Sequence, residues 1–390
     1  MAGLNETPSA NRVRIAFFGL RNAGKSTLVN AFTGQPIAIV SDVAGTTTDP
    51  VSKAMEILPL GPCVVTDTAG LDDEGELGLK RVEKTLKVLE TTDIAVWVWG
   101  ADEAAERRGR RFPDFADACR RRNVAVIEHR RGDSVDELKR KVAAVKLGGD
   151  TPGLLDGLVS RGDRVLCACP IDESAPKGRL ILPQVQVIRA CLDLRATATV
   201  CQPGDLARML EGNRQPPLAF DLVVTDSQAF GEVNRTIEQS NSRTIPLTSF
   251  SILFARQKGD IAAYLDGLKA LKNLKDGDRV LIAEGCTHHR QCNDIGTVKI
   301  PKAIAKLTGR KLEFSFVSGT AFESANHPIE QSTNRTIEQF SLIVQCGGCM
   351  LTRREVMRRI GLAREAGVPI VNYGMVLALA AGVDLETCVF

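Results

Sequence analysis

Short apolar runs alternate with longer amphipathic stretches along most of this chain. A mostly parallel sheet covered by helices produces that alternation. Residues 13–19 form a β-branched and aromatic run ending in glycine, and a helical stretch follows at 25–33. Residues 64–67, 94–99 and 124–127 are further short apolar runs with strand character, whereas 76–90 is charged and periodic, as a surface helix is. The Gly/Asp/Pro-rich stretch 147–153 reads as a linker. A second strand–helix series opens at 164–171, with its first helix at 183–192 and later strands at 222–225 and 247–253. From about Phe254 a third block has strands at 280–283, 312–317, 342–344 and 370–372, and a basic amphipathic helix at 353–366.

The expected fold class is therefore α/β in three parts: residues 1–152, 153–250 and 251–390. The hexapeptide Asn234-Arg-Thr-Ile-Glu-Gln239 recurs as Asn334-Arg-Thr-Ile-Glu-Gln339. Its polar surroundings predict a duplicated, loop-like insertion.

A net charge of +3 over 390 residues gives no global polycation argument for nucleic acid. No apolar run approaches the roughly 18–20 residues of a membrane span, and residues 1–12 lack an apolar signal core. The expectation is a cytoplasmic protein that binds no membrane. Eleven cysteines in a reducing compartment are then buried thiols, metal ligands or redox groups rather than a disulfide framework.

Two constellations carry chemistry. The first is Gly19-Leu-Arg-Asn-Ala-Gly-Lys-Ser26, which fits G-x-x-x-x-G-K-[ST] between a strand and a helix, the context a P-loop requires. Its glycines let the backbone wrap phosphates, and the helix N-terminus adds positive potential. Lys25 is placed to reach the β- and γ-phosphates, and the Ser26 hydroxyl to bind Mg2+. The nucleotide contacts expected along this loop are Gly19, Asn22, Ala23, Gly24, Lys25, Ser26 and Thr27. Downstream, Asp67-Thr-Ala-Gly70 ends a strand: Asp67 suits Mg2+, and the Gly70 N–H suits a γ-phosphate. Between the two lies Gly45-Thr-Thr-Thr-Asp49, a switch-type loop whose Thr47 is expected on the metal in the triphosphate state.

The second is Cys286-Thr-His288 with Cys346-Gly-Gly-Cys349. Each follows a strand, at the edge where open α/β sheets place ligands. Three thiolates suit an iron–sulfur cluster, and three thiolates with His288 also suit structural zinc. Cys167 and Cys169, two apart in a strand, share a buried face. Cys63, Cys119, Cys191 and Cys201 lie in or near apolar segments.

The nucleotide motifs resemble GTPases of the TrmE–Era type. That resemblance implies a K+ ion held by Asn22, with Thr47 at the Mg2+ and K+ region. Leu71 stands where Ras-like enzymes place a catalytic glutamine, which implies slow, K+-stimulated GTP hydrolysis. The family's guanine reader, Asn-Lys-x-Asp, falls on Arg130-Arg131-Gly132-Asp133, so only Asp133 keeps its match.

Taken over the whole chain, the sequence resembles the HydF family. The carrying segments include Asp67-Thr-Ala-Gly-Leu-Asp-Asp-Glu-Gly-Glu-Leu-Gly78, residues 170–186, residues 247–256 and Glu284-Gly-Cys-Thr-His-His289. The resemblance implies a P-loop GTPase domain, a small α/β dimerisation domain and a Rossmann-like α/β cluster-binding domain. It implies a homodimer with a 4Fe–4S cluster on Cys286, Cys346 and Cys349, and His288 as a candidate fourth ligand. Many relatives place a histidine immediately before the CxxC, where this chain has Gln345. The implied work is to load a di-iron precursor built by two radical-SAM maturases and deliver it to apo-[FeFe]-hydrogenase. The competing readings are a tRNA-modification-type GTPase, and a metal- or redox-sensing module with a decayed GTPase.

Overall fold

The computed structural model describes residues 9–36, 50–73, 75–147, 152–171, 180–211, 219–240, 245–285, 295–319, 337–383 and 385. The chain divides into two compact units, Met1–Asp150 and Thr151–Phe390.

In the first unit the strands are β1 (Val13–Phe18), β2 (Val51–Ile57), β3 (Gly61–Asp67), β4 (Ile94–Val98) and β5 (Ala125–His129), in the order β2-β3-β1-β4-β5. All neighbours are parallel except the β2–β3 hairpin. β2 escapes sequence reading because it is mostly exposed and mixes polar with apolar residues without alternation. The central strands are apolar on both faces because helices cover both. On one face α1 (Lys25–Thr33) and α5 (Val135–Ala143) bury Val29, Phe32, Leu138 and Val142 against Ile15, Phe17 and Val96. On the other, α2 (Gly75–Thr91), α3 (Glu103–Arg108) and α4 (Arg111–Arg121) flank the sheet; Leu89 and Phe115 join Phe18, Trp97 and Trp99 in the core there.

The second unit holds two parallel sheets. One is ordered β7-β6-β8-β9, from β6 (Arg164–Ala168), β7 (Thr197–Cys201), β8 (Leu222–Thr225) and β9 (Leu247–Ser249). Its helices are α6 (Leu182–Asp193), α7 (Leu206–Glu211), α8 (Phe230–Gln239) and α9 (Phe250–Lys258). After α10 (Ile261–Lys272) comes the other sheet, ordered β11-β10-β12-β13, from β10 (Arg279–Glu284), β11 (Glu313–Ser318), β12 (Leu342–Gln345) and β13 (Ile370–Asn372). Helices α11 (Ile300–Thr308), α12 (Arg353–Glu365) and α13 (Tyr373–Ala380) complete the unit.

Two expectations are corrected. Residues 247–253 are not one strand: β9 stops at Ser249, whose side chain accepts the Ile252 N–H and caps α9. Five of its first six residues are apolar and buried, because that part of the helix is covered on two sides. Phe250, Leu253 and Phe254 join one core cluster with β6 and β8, while Ile252 and Ala255 join another that includes β10, β12 and β13. The hexapeptide repeat is not loop-like either. Its first copy is the second half of α8, with Ile237 buried. In the second copy the described residues, Ile337–Gln339, form a short 3-10 turn with Ile337 buried. The matching isoleucines serve one core.

Glycine permits the closest approach in this unit. A Cβ on Gly267 of α10 would stand 2.1 Å from the Ile370 carbonyl oxygen of β13. Gly361, inside α12, has nothing within 4 Å. Gly267→Ala should therefore cost about 1–3 kcal/mol by overpacking, and Gly361→Ala should gain about 1 kcal/mol of helix propensity. Thermal melting checks this: the two variants must move Tm in opposite directions.

Candidate functional site

The P-loop follows β1 directly. Gly19 has φ 151° and a Cβ there would stand 2.5 Å from the Val98 carbonyl oxygen, so the turn leaving the strand requires glycine. Asn22 (φ 55°) and Gly24 (φ 90°) are left-handed, a conformation asparagine tolerates better than most residues. The loop then opens α1 at Lys25.

The residues around it form a closed set of contacts. Ser26 Oγ donates to Asp67 Oδ2 at 2.6 Å. Asp67 is fully buried, and its Oδ1 has no hydrogen-bond partner. Burial pushes its carboxyl above the usual range, opposed by the Ser26 bond and the Lys25 charge. A hydroxyl and an orphaned carboxylate oxygen side by side are the donor set a hard, oxygen-seeking cation takes, so these residues fit Mg2+. Lys25 Nζ donates to the carbonyls of Leu20 (2.7 Å) and Gly19 (3.3 Å). Burial pulls its pKa down, against the carboxylates of Asp67, Asp72, Asp73 and Glu106. Gly70 packs on Arg21, where a Cβ would come within 2.8 Å of the Arg21 nitrogen. The Arg21 N–H donates to Asp72 Oδ1 at 2.6 Å, and Asp73 sits between Arg21 and Arg81. The sequence reading did not single out these aspartates. The expected switch threonine, Thr47, lies outside the described residues.

At the expected base reader, Asp133 Oδ2 accepts the Arg130 N–H at 2.8 Å, which ties the carboxylate to its own turn. Arg130 and Arg107 both reach Glu128 Oε2, as does the Trp99 indole N–H, and Arg107 lies 4.4 Å over the Trp99 ring. Both arginines are thus engaged in ion pairs and ring contacts while staying nearly half exposed.

In the second unit, Ala283 of β10 pairs with Gln345 of β12. The two strand ends therefore lie side by side, as the sequence predicts. Gly285 N–H donates to Cys346 Sγ at 3.0 Å, and Cys346 N–H donates to the Ala283 carbonyl at 3.0 Å. Cys286, His288, His289 and Cys292 fall outside the described residues; among the described residues no group of three His, Cys, Asp or Glu side chains is arranged to hold a metal. Cys346 and Cys349 are half-buried, and Gly348 between them has φ 66°. Thiols on a glycine turn beside the root of a third cysteine fit an iron–sulfur cluster in donor chemistry.

Beneath that turn lies α9. Lys258, 3% exposed, donates from Nζ to the carbonyls of Leu351 (2.8 Å), Gly348 (3.1 Å) and Cys349 (3.2 Å). Burial pulls its pKa to about 8, with Cys349 and Cys346 opposing. Arg353 donates to the Gln257 carbonyl at 2.6 Å. Arg359, also buried, pairs with Glu355 and donates to the carbonyls of Glu284 and Gly319. Gln345 turns inward to donate to the Tyr264 hydroxyl. None of these was anticipated except Gln345. Only Glu355 and Arg359, four apart on a helix, left a sequence signal. Among the other described thiols, Cys201 is half-buried and Cys63, Cys119, Cys167, Cys169 and Cys191 are buried; burial pushes Cys169 up to about 12 and Cys63 and Cys191 up to about 11. A buried thiol with a raised pKa carries little thiolate and so suits a core position rather than a reactive one.

A β1–P-loop–α1 unit with Asp67 at the end of the neighbouring strand defines a P-loop GTPase domain. Residues 14–129 accordingly match the 50S ribosome-binding GTPase family, a match ending just before Arg130. Residues 154–259 match the Hydrogen maturase F dimerization domain, and residues 262–388 the Hydrogen maturase F tetramerization domain, together more than half of the chain. The chain belongs to the HydF family of hydrogenase-maturation GTPases. Among individual proteins, it is 40% identical to the tRNA modification GTPase MnmE of Zymomonas mobilis over 98 residues, which is 25% of this chain and 22% of that one. It is 43% identical to GTPase Der of Wolinella succinogenes over 98 residues, 24% of this chain and 20% of that one. The chain thus spans about a fifth of the length of these relatives. The crystal structure of Aquifex aeolicus Era bound to GDP·AlF4− covers 78% of this chain and 92% of that one at 18% identity, with a TM-score of 0.27 that adds nothing to the case. No helix among the described residues is long and apolar enough to cross a membrane.

The Ser26–Asp67 pair yields a direct expectation. Ser26→Ala should weaken magnesium-dependent binding of a GTP analogue by about tenfold or more, roughly 1.4 kcal/mol, with little change in the magnesium-free affinity. Fluorescent-nucleotide titration with and without Mg2+ measures both. A variant that Mg2+ tightens as much as wild type would remove Ser26 from the metal shell.

Proposed function

We propose that this protein is a GTP-hydrolysing carrier that holds a 4Fe–4S cluster on Cys286, Cys346 and Cys349 and passes a di-iron precursor to apo-[FeFe]-hydrogenase. The precursor comes from two radical-SAM maturases, and the working form is a homodimer in the cytoplasm.

One observation carries the cluster half of this reading: the Gly285 N–H on Cys346 Sγ. A single peptide step, about 3.8 Å between successive Cα atoms, separates Gly285 from Cys286. The chain therefore enters the Cys286 segment from a point beside Cys346. Such a cluster leaves one iron for a fourth ligand. His288 is the candidate, since Gln345 faces Tyr264. The two HydF matches favour this reading over the tRNA-modification one, because they cover residues 154–259 and 262–388 whereas the MnmE match extends over 25% of the chain.

GTP with Mg2+ orders the switch residues Thr47 and Gly70. Loss of the γ-phosphate releases them, and this gates partner exchange rather than iron chemistry. Asn22 holds the K+ that compensates for Leu71, which cannot orient a water molecule. Asp133 reads the guanine, which requires its bond to the Arg130 N–H to open or be shared.

Two measurements test this. GTP hydrolysis should run at least several-fold faster in KCl than in NaCl, and equal rates would refute the role of Asn22. Anaerobic reconstitution should give a brown protein with about four irons per chain and a 4Fe–4S signal by electron paramagnetic resonance after reduction. A colourless protein holding one tight zinc would end the cluster reading.

A further inference from the structure

Two buried cations flank the cysteine turn, and they differ in one respect. Arg359 is paired with the Glu355 carboxylate at 3.0 Å. Lys258 spends its ammonium donors on the three carbonyls of residues 348, 349 and 351 and sits 4.9 Å over the Phe254 ring; among the described residues it forms no ion pair with a carboxylate. An ammonium buried without an anion is penalised by several kcal/mol unless something nearby carries negative charge. Cys346 and Cys349, on the turn it caps, are groups able to do so. α9 also meets that turn elsewhere: a Cβ on Gly347 would come within 2.8 Å of Ser251 Oγ.

We propose that Lys258 is a positioning residue of the cysteine site: from α9 it locks the Cys346–Cys349 turn and supplies the fixed positive charge that sets the reduction potential of the group held there. This rests on the cluster reading above. A cluster held by three thiolates gains one negative charge with each electron it takes up, and a cation fixed beside it favours the more negative, reduced state, so the potential rises. The lysine belongs to the segment matching the dimerization domain, whereas the cysteines belong to the tetramerization match. The potential is then set across that boundary.

Three variants of the full chain separate charge from packing. Lys258→Met keeps the stem and loses charge and donors. Lys258→Gln keeps a donor amide without charge and carries the test should the Met variant fail to fold. Lys258→Arg keeps the charge. Redox titration of the reconstituted protein should show the reduction equilibrium about tenfold less favourable in Met and Gln, ~59 mV for a one-electron couple, with Arg closer to wild type. On metal-free protein, hydrogen exchange of amides 346–351 should quicken in Met. Exchange that quickens while the potential stays put would reduce Lys258 to a structural brace and overturn the proposal, as would no change in either. Wild-type protein that takes up no iron would instead sink the cluster reading, and the exchange comparison would still judge the lock on the turn.

Discussion

Parallel pairing of β10 with β12 is the constraint on which the second unit turns. With Ala283 opposite Gln345, both strands end at one level, and the loops leaving them start beside each other. The sixty residues between those ends do not enter into it. A slip of one residue would turn each side chain to the other face. Residues 342–344 of β12 are buried and apolar on both faces, so the register is held by how their side chains pack rather than by polar–apolar alternation. The bond from Gly285 to Cys346 follows from that register, as does the Asn372 contact to the Cys346 carbonyl, since Asn372 pairs with Gln345 on the far side.

The same rule operates in the first unit with different chemistry. Phe17 of β1 pairs with Asp67 of β3, so the P-loop and the Asp67-Thr-Ala-Gly70 turn leave adjacent strands. The Thr68 hydroxyl donates to the Phe17 carbonyl at 2.7 Å and the Leu71 N–H to the Gly19 carbonyl at 3.2 Å, fastening the two turns together. Gly70 is thus one residue from a direct bond to Gly19. Asp72 on the Arg21 N–H adds a third fastening.

How much of this was legible depends on where the determinant lay. The strand at 222–225 and the helix at 25–33 were readable to the residue, because burial on both faces or a P-loop start leaves a local mark. Residues 247–253 misled, because an apolar run looks the same whether a sheet or a buried helix uses it. Only the Ser249 cap separates the two, and serine is common in both settings. The hexapeptide repeat misled for the opposite reason. Its polar letters hid a single buried isoleucine per copy, and one apolar contact per turn is enough at the edge of a large core. The P-loop, Asp67 and the cysteine pair were legible as chemistry. Lys258 was not, because nothing in Ala-Arg-Gln-Lys-Gly marks which basic residue points inward.

That last failure bears on how the site works. A cysteine motif reports which atoms can bind, but the field around them comes from residues far away in sequence. Lys258 lies 88 positions before Cys346, on a helix the sequence did not reveal, and reaches the turn only because α9 is gripped by both core clusters. A helix held on both sides has little freedom to withdraw its terminal lysine. The rigidity of α9 is thus what turns a flexible, strongly hydrated side chain into a fixed charge. Three carbonyls of one tight turn then leave that charge a single position, which no surface lysine has.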